Sequence, residues 1–150
     1  MTAFTTRHLA DRPDAIAPDG SEVRLLVASS GGSLAHFTLP PGEISAAVMH
    51  TTVTELWLVI SGAGRIWRRL GGDESITELG PGTAIDLPVG TRFQFRCDGA
   101  EPLRIVGATM PPWPGDDEAR PTHGLWDSPV TGPVDLTPGL HARRRRDRRG

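Results

Sequence analysis

Turn signals recur so closely between Val23 and Met110 that no helix of useful length fits there. The apolar or alternating runs are short: 23–28, 34–39, 46–50, 55–60, 64–69, 75–79, 83–87, 92–97 and 103–110. Between them stand SGG at 30–32, PPG at 40–42, SGAG at 61–64, GGD at 71–73, GPG at 80–82, PVG at 88–90 and DGAEP at 98–102. Gly and Pro at these intervals break helices and build tight turns. Many short strands with regular punctuation predict an all-β sandwich or barrel. The cleanest alternation is Arg92-Phe93-Gln94-Phe95-Arg96-Cys97, with Phe, Phe and Cys on one face. No internal repeat is visible, so a single barrel is expected.

The ends read differently. Residues 1–22 lack periodicity and are expected to form an N-terminal arm, with the barrel spanning 23–110. After Met110 the chain turns Pro- and Gly-rich, and Trp113 and Trp126 are its only large anchors. Segment 111–127 is expected to lie on the barrel, pinned by those two rings. Residues 128–150 are expected to be a disordered Arg-rich tail. Six of the 16 basic residues, all Arg, fall between Arg143 and Gly150, beside Asp147, giving that stretch 6 − 1 = +5. The remainder carries 10 Arg against 17 acids, or −7. A body of that sign repels nucleic acid and anionic membranes, so neither is expected as a partner. No apolar run exceeds the five residues Leu56 to Ile60, which excludes a transmembrane helix. The N-terminus lacks an apolar leader core, and Cys97 is the single cysteine, so the expected location is cytoplasmic.

Two stretches carry the chemistry. Gly42, His50, Glu55 and Gly62 stand in the register G-x5-H-x-H-x4-E-x6-G, with His50 on the second histidine position. Gly82, Pro88 and Gly90 stand in the register G-x5-P-x-G-x2-H-x3-N. Nineteen residues, 63–81, separate them. The pair resembles the two motifs of the cupin family, and the resemblance covers roughly residues 23–110. It implies a single β-barrel of the double-stranded β-helix (jelly-roll, RmlC-like) kind, a small-molecule ligand and pairing into a homodimer.

A cupin of the usual pattern holds one divalent metal with three His and one Glu. Here Val48 stands at the first His position, Phe93 at the His of the second motif, and Cys97 at the Asn. Only His50 and Glu55 remain of the ligand set the resemblance implies. Two protein donors hold a transition metal poorly, and Val and Phe replace polar groups with apolar wall. No cofactor is therefore expected; the alternative is a divalent transition metal bound through His50 and Glu55 with an altered ligand set, as in an oxygenase.

Strand alternation puts Val48 and His50 on one face, and Trp57 and Val59 on the face of Glu55. A carboxyl isolated inside would lose solvation and shift upward, which a neighbouring imidazole would relieve. His50 and Glu55 are thus the candidate acid/base pair, with His50 moving the proton. Val48, Trp57, Phe93 and Phe95 are candidate ligand-lining residues. His36 is a further candidate, although its strand parity leaves its direction open. The expected activity is an isomerase, epimerase, cyclase or lyase reaction without metal; the alternative is a non-catalytic metabolite-binding module. Arg65, Arg68 and Arg92 fit solvated faces better than a substrate carboxylate.

Overall fold

The computed structural model describes residues 3–128. Its strands are β1 (Ala15–Ile16), β2 (Glu22–Ala28), β3 (Ser33–Leu39), β4 (Val48–His50), β5 (Thr54–Ser61), β6 (Gly64–Leu70), β7 (Asp73–Leu79), β8 (Ala84–Leu87), β9 (Arg92–Cys97), β10 (Leu103–Met110) and β11 (Ala119–Pro121). A single 3-10 turn, Asp116–Glu118, precedes β11. Each of the nine runs between residues 23 and 110 became a strand. The tail beyond residue 128 lies outside the described residues. Among the described residues no helix is long and apolar enough to cross a membrane.

Two antiparallel sheets face each other. One runs β1-β2-β3-β10-β5-β8 and the other β11-β4-β9-β6-β7. Alternation sets their inner faces. On β5, Glu55, Trp57 and Val59 are buried, while Leu56, Leu58 and Ile60 point outward. Burying Val59, Ile66, Leu79, Leu87, Phe95, Leu103 and Ile105 between the sheets is the main stabilising term. The β5–β6 turn needs Gly62. Its φ is +91°, and a Cβ there would meet the Pro102 carbonyl oxygen at 2.5 Å.

Two elements were not expected. Within the arm, Ala15–Ile16 pairs with β2. Past the barrel, β11 adds an edge to the second sheet, with Ala119 opposite His50. Neither has the length or alternation that marks a strand in sequence.

Gln94 also departs from simple alternation. Its side chain faces away from Phe93 and Phe95, yet it is fully buried. Residues 124–126 cover it. Gln94 Oε1 accepts from the Leu125 and Trp126 amides at 2.9 and 2.8 Å, and Nε2 donates to the Ser45 and Trp126 carbonyls at 2.9 and 2.8 Å. One amide side chain thereby ties residues 125–126 to the back of β9, alongside the β11–β4 pairing.

Candidate functional site

Between the sheets, at the end where β4 and β5 meet, lies a cavity of about 280 Å³. β4 supplies Val48 and His50, β5 supplies Glu55 and Trp57, and β9 supplies Phe93 and Phe95. Val48 and Phe93 are direct cross-strand partners. The expected residues are therefore gathered at one place, apart from His36.

His36 corrects the expectation that it lines this cavity. On β3, Ala35 and Phe37 face inward, so His36 takes the opposite face. There it lies opposite Arg24 on one side and Val106 on the other. Burial and the charges of Arg24 and Arg104 lower its pKa. Turned away from the cavity, it does not replace a ligand beside His50.

At the centre, His50 Nδ1 stands 3.3 Å from Glu55 Oε2. The imidazole is held edge-on between two rings, Phe93 at 5.1 Å and Trp113 at 5.0 Å between centroids. Its Nδ1 is buried without an aligned hydrogen bond, so the pair is close but not locked together. The other oxygen of Glu55 is occupied: Trp57 Nε1 donates to Oε1 at 2.6 Å. Room for this bond comes from Gly107 on β10, where a Cβ would meet Glu55 Oε1 at 3.0 Å and the Trp57 ring at 3.2 Å.

Burial disfavours charge on both partners. It pushes the Glu55 carboxyl up to about 8; the Trp57 hydrogen bond opposes this and the Asp19 carboxyl adds to it. It pushes the His50 imidazole down to about 4, against a smaller upward pull from Glu118. At neutral pH the pair is a carboxylic acid beside a free imidazole, a proton donor next to a proton acceptor, and not an ion pair.

Three lining residues escaped the sequence reading. Trp113 was expected to pin the C-terminal segment to the barrel surface. Instead it packs against the core and His50, positioned by its amide, which donates to Ser33 Oγ at 3.0 Å. Asp19, from the arm, and Asp116 also line the cavity. The signal for Asp19 was a charged residue beside Gly20 in a turn, which sequence alone cannot tell from any exposed loop.

The donor set does not suit a metal cage. Val48 and Phe93, both buried, fill the two remaining positions of the motif register. Among the described residues, no three His, Cys, Asp or Glu side chains gather as a metal site.

Comparison with known proteins agrees with this architecture. A family model described as a cupin domain matches residues 35–108. No curated protein matches the chain. Among solved structures, a PAC13 variant from Streptomyces with uridine is similar at TM-score 0.61 and 13% identity, over 84% of this chain and 95% of that one. KdgF from Halomonas sp. is similar at TM-score 0.54 and 15% identity, over 70% and 88%. Drosophila melanogaster CENP-C bound to CAL1 is similar at TM-score 0.54 and 16% identity, over 59% and 73%. At these identities the likeness speaks for the fold alone. The motif register, the two-sheet barrel and the matched domain together make this chain a member of the cupin family.

Proposed function

We propose that the protein is a metal-independent cupin that binds a small organic molecule in the barrel and moves a proton on it, as an isomerase, epimerase, cyclase or lyase does. The observation that carries this reading is the His50–Glu55 pair: 3.3 Å apart, buried and enclosed by aromatic walls. Held neutral, His50 can take a proton from a bound substrate and Glu55 can deliver one. Such a pair typically contributes about 10²–10⁴-fold to rate. Trp57 keeps Glu55 oriented, and Phe93 and Trp113 keep the imidazole edge-on. The PAC13 neighbour, which has uridine bound, supports a ligand of roughly that size.

The test has two arms. Exchange of carbon-bound protons into heavy water, followed across a panel of small carbonyl compounds, is expected in the wild type. It should vanish in His50→Ala and fall in Glu55→Gln. The second arm is metal content after growth with iron, manganese, nickel and zinc. The wild type should hold far less than about one equivalent, whereas Val48→His with Phe93→His should load, since both positions flank His50. A wild type that purifies with about one metal per chain, and loses activity on chelation, overturns the reading in favour of a metal-dependent enzyme. Ligand binding with no exchange on any compound would leave a binding module.

A homodimer and a cytoplasmic location belong to the same reading. The dimer is supported by the apolar outer face of β5, where Leu56, Leu58 and Ile60 are exposed. Light scattering at micromolar concentration should show two copies.

A further inference from the structure

The cavity polarity is one-sided. Asp19, Glu55 and Asp116 line it, and none of the ten Arg among residues 3–128 does; the chain has no Lys. Arg65 is turned out to Asp98 and Arg68 to Asp86. His50, the remaining titratable group on the lining, is neutral.

We infer that this cavity selects ligands bearing a protonated amine, and that Asp19 is the residue that receives the ammonium. The inference rests on the small-molecule reading above and names its substrate class.

Asp19 is built into place. The turn from Ala17 to Ser21 closes with Gly20 N donating to Ala17 O at 2.9 Å and Ala17 N to Ser21 O at 2.8 Å. The Asp19 carbonyl accepts the Ala46 amide at 2.8 Å, tying the turn to the opposite sheet. Only 9% of Asp19 is exposed. Both of its side-chain hydrogen bonds, from Ser21 N at 2.9 Å and Ser21 Oγ at 2.7 Å, end on Oδ1. No described residue hydrogen-bonds Oδ2.

A second polar group on the same lining, beside Glu55, also has capacity for a ligand. His50 Nδ1 is buried, 5% exposed as a residue, and lacks an aligned partner on the same lining. Around these groups stand the rings of Phe37, Trp57, Phe93, Phe95 and Trp113. Aromatic faces attract cations, and no Arg stands on the lining to receive an anion. A carboxylate or phosphate ligand would find no counter-cation on the lining. A neutral ligand could give Asp19 Oδ2 only an uncharged hydrogen bond, weaker than the charge-assisted one from an ammonium.

The experiment is isothermal calorimetry of the full chain at pH 7 with three ligands of similar skeleton: phenethylamine, 2-phenylethanol and 3-phenylpropionate. The amine should bind at least about tenfold tighter than the alcohol, and the carboxylate not measurably. Asp19→Asn should bring amine affinity down to that of the alcohol, and Asp19→Glu should restore the preference. Unchanged melting temperatures would separate this from misfolding. Equal affinity for amine and alcohol, tight carboxylate binding, or a folded Asp19→Asn that keeps the preference overturns the inference and leaves the His50–Glu55 reading intact. Amine preference without proton exchange on any compound sustains the inference and removes the catalytic reading. Failure of all three ligands to bind overturns the inference, while the exchange assay still decides the other.

Discussion

Glu55 and Glu118 are equally closed off from solvent, 3% and 4% exposed, but Glu55 lies deep between the sheets and Glu118 close under the surface, and they titrate at opposite ends of the scale. Glu55 is pushed up to about 8 and Glu118 held down to about 2. At both, burial alone would raise the pKa. Beside that difference in depth, the donors differ. Glu118 receives the backbone amides of Thr52 and Val53, the latter at 2.7 Å, and the hydroxyls of Thr51 and Thr52 at 2.9 and 2.7 Å. Glu55 receives one indole N–H. A satisfied buried carboxylate is a brace, here locking the β4–β5 loop to the 3-10 turn. A buried carboxyl left with an open oxygen beside a free imidazole holds reactivity at the expense of stability.

The largest effect expected from this contrast is on folding. Glu118→Ala should cost about 2 kcal/mol in urea denaturation, because one buried and one part-buried backbone N–H lose their acceptor. A cost near that of an ordinary surface change, roughly 0.5 kcal/mol, would break the comparison.

Glu55 should behave in the opposite sense. Its folded pKa of about 8 exceeds its ordinary value of 4.5, so between those limits the folded state binds more protons than the unfolded one. Stability therefore falls as pH rises from 4.5 to 8. Glu55→Gln removes that loss and keeps an acceptor for Trp57. It should stabilise the protein on the order of 2 kcal/mol at pH 8.5 and much less at pH 5. An equal effect at both pH values would show that Glu55 is already ionised.

The acid limb sharpens the contrast further. His50 folds with a pKa of about 4 against an ordinary 6.5, so the unfolded chain binds more protons in that window. Stability contributed there is lost as pH falls from 6.5 to 4. Glu118, depressed from 4.5 to about 2, loses its contribution as pH falls through that lower window. His50→Gln should flatten the upper part of the decline by about 1 kcal/mol and leave the lower part unchanged. A single unbroken decline in both proteins would contradict the assignment.

The barrel was legible because its signals are local. Gly62 and the turn at 61–64, the alternation through β5 and β9, and the motif register depend on neighbours in sequence. Those same signals brought Val48, His50, Glu55, Trp57, Phe93 and Phe95 to one cavity. His36 was misplaced because each face of β3 mixes polar and apolar residues, Ser33, Ala35, Phe37 and Leu39 on one and Leu34, His36 and Thr38 on the other, so alternation does not state which way it points. Asp19, Trp113 and Glu118 were invisible for a different reason. They reach the site from outside the motifs through the 17–21 turn and the chain beyond β10. Their roles depend on long-range contacts such as Ser33 with Trp113 and Thr52 with Glu118.

The smallest expected effect separates two ways of holding the C-terminal segment. From sequence, Trp126 was expected to pin it by its ring. In the structure the ring lies over the Arg65 and Arg96 guanidinium groups, at 5.6 and 5.4 Å, while both arginines are also engaged by Asp98. Cation–π contacts at such partly exposed positions contribute about 0.5–1 kcal/mol. The four hydrogen bonds of Gln94 reach only backbone atoms, so they survive loss of the indole. Trp126→Ala should therefore cost about 1 kcal/mol or less, whereas Gln94→Leu, which strands buried amides and carbonyls, should cost about 3 kcal/mol. Like Glu118, Gln94 would then be a brace whose worth lies in backbone groups it satisfies. The reverse order, with Trp126→Ala the costlier change, would return the anchoring role to the ring and make Gln94 a bystander beneath it.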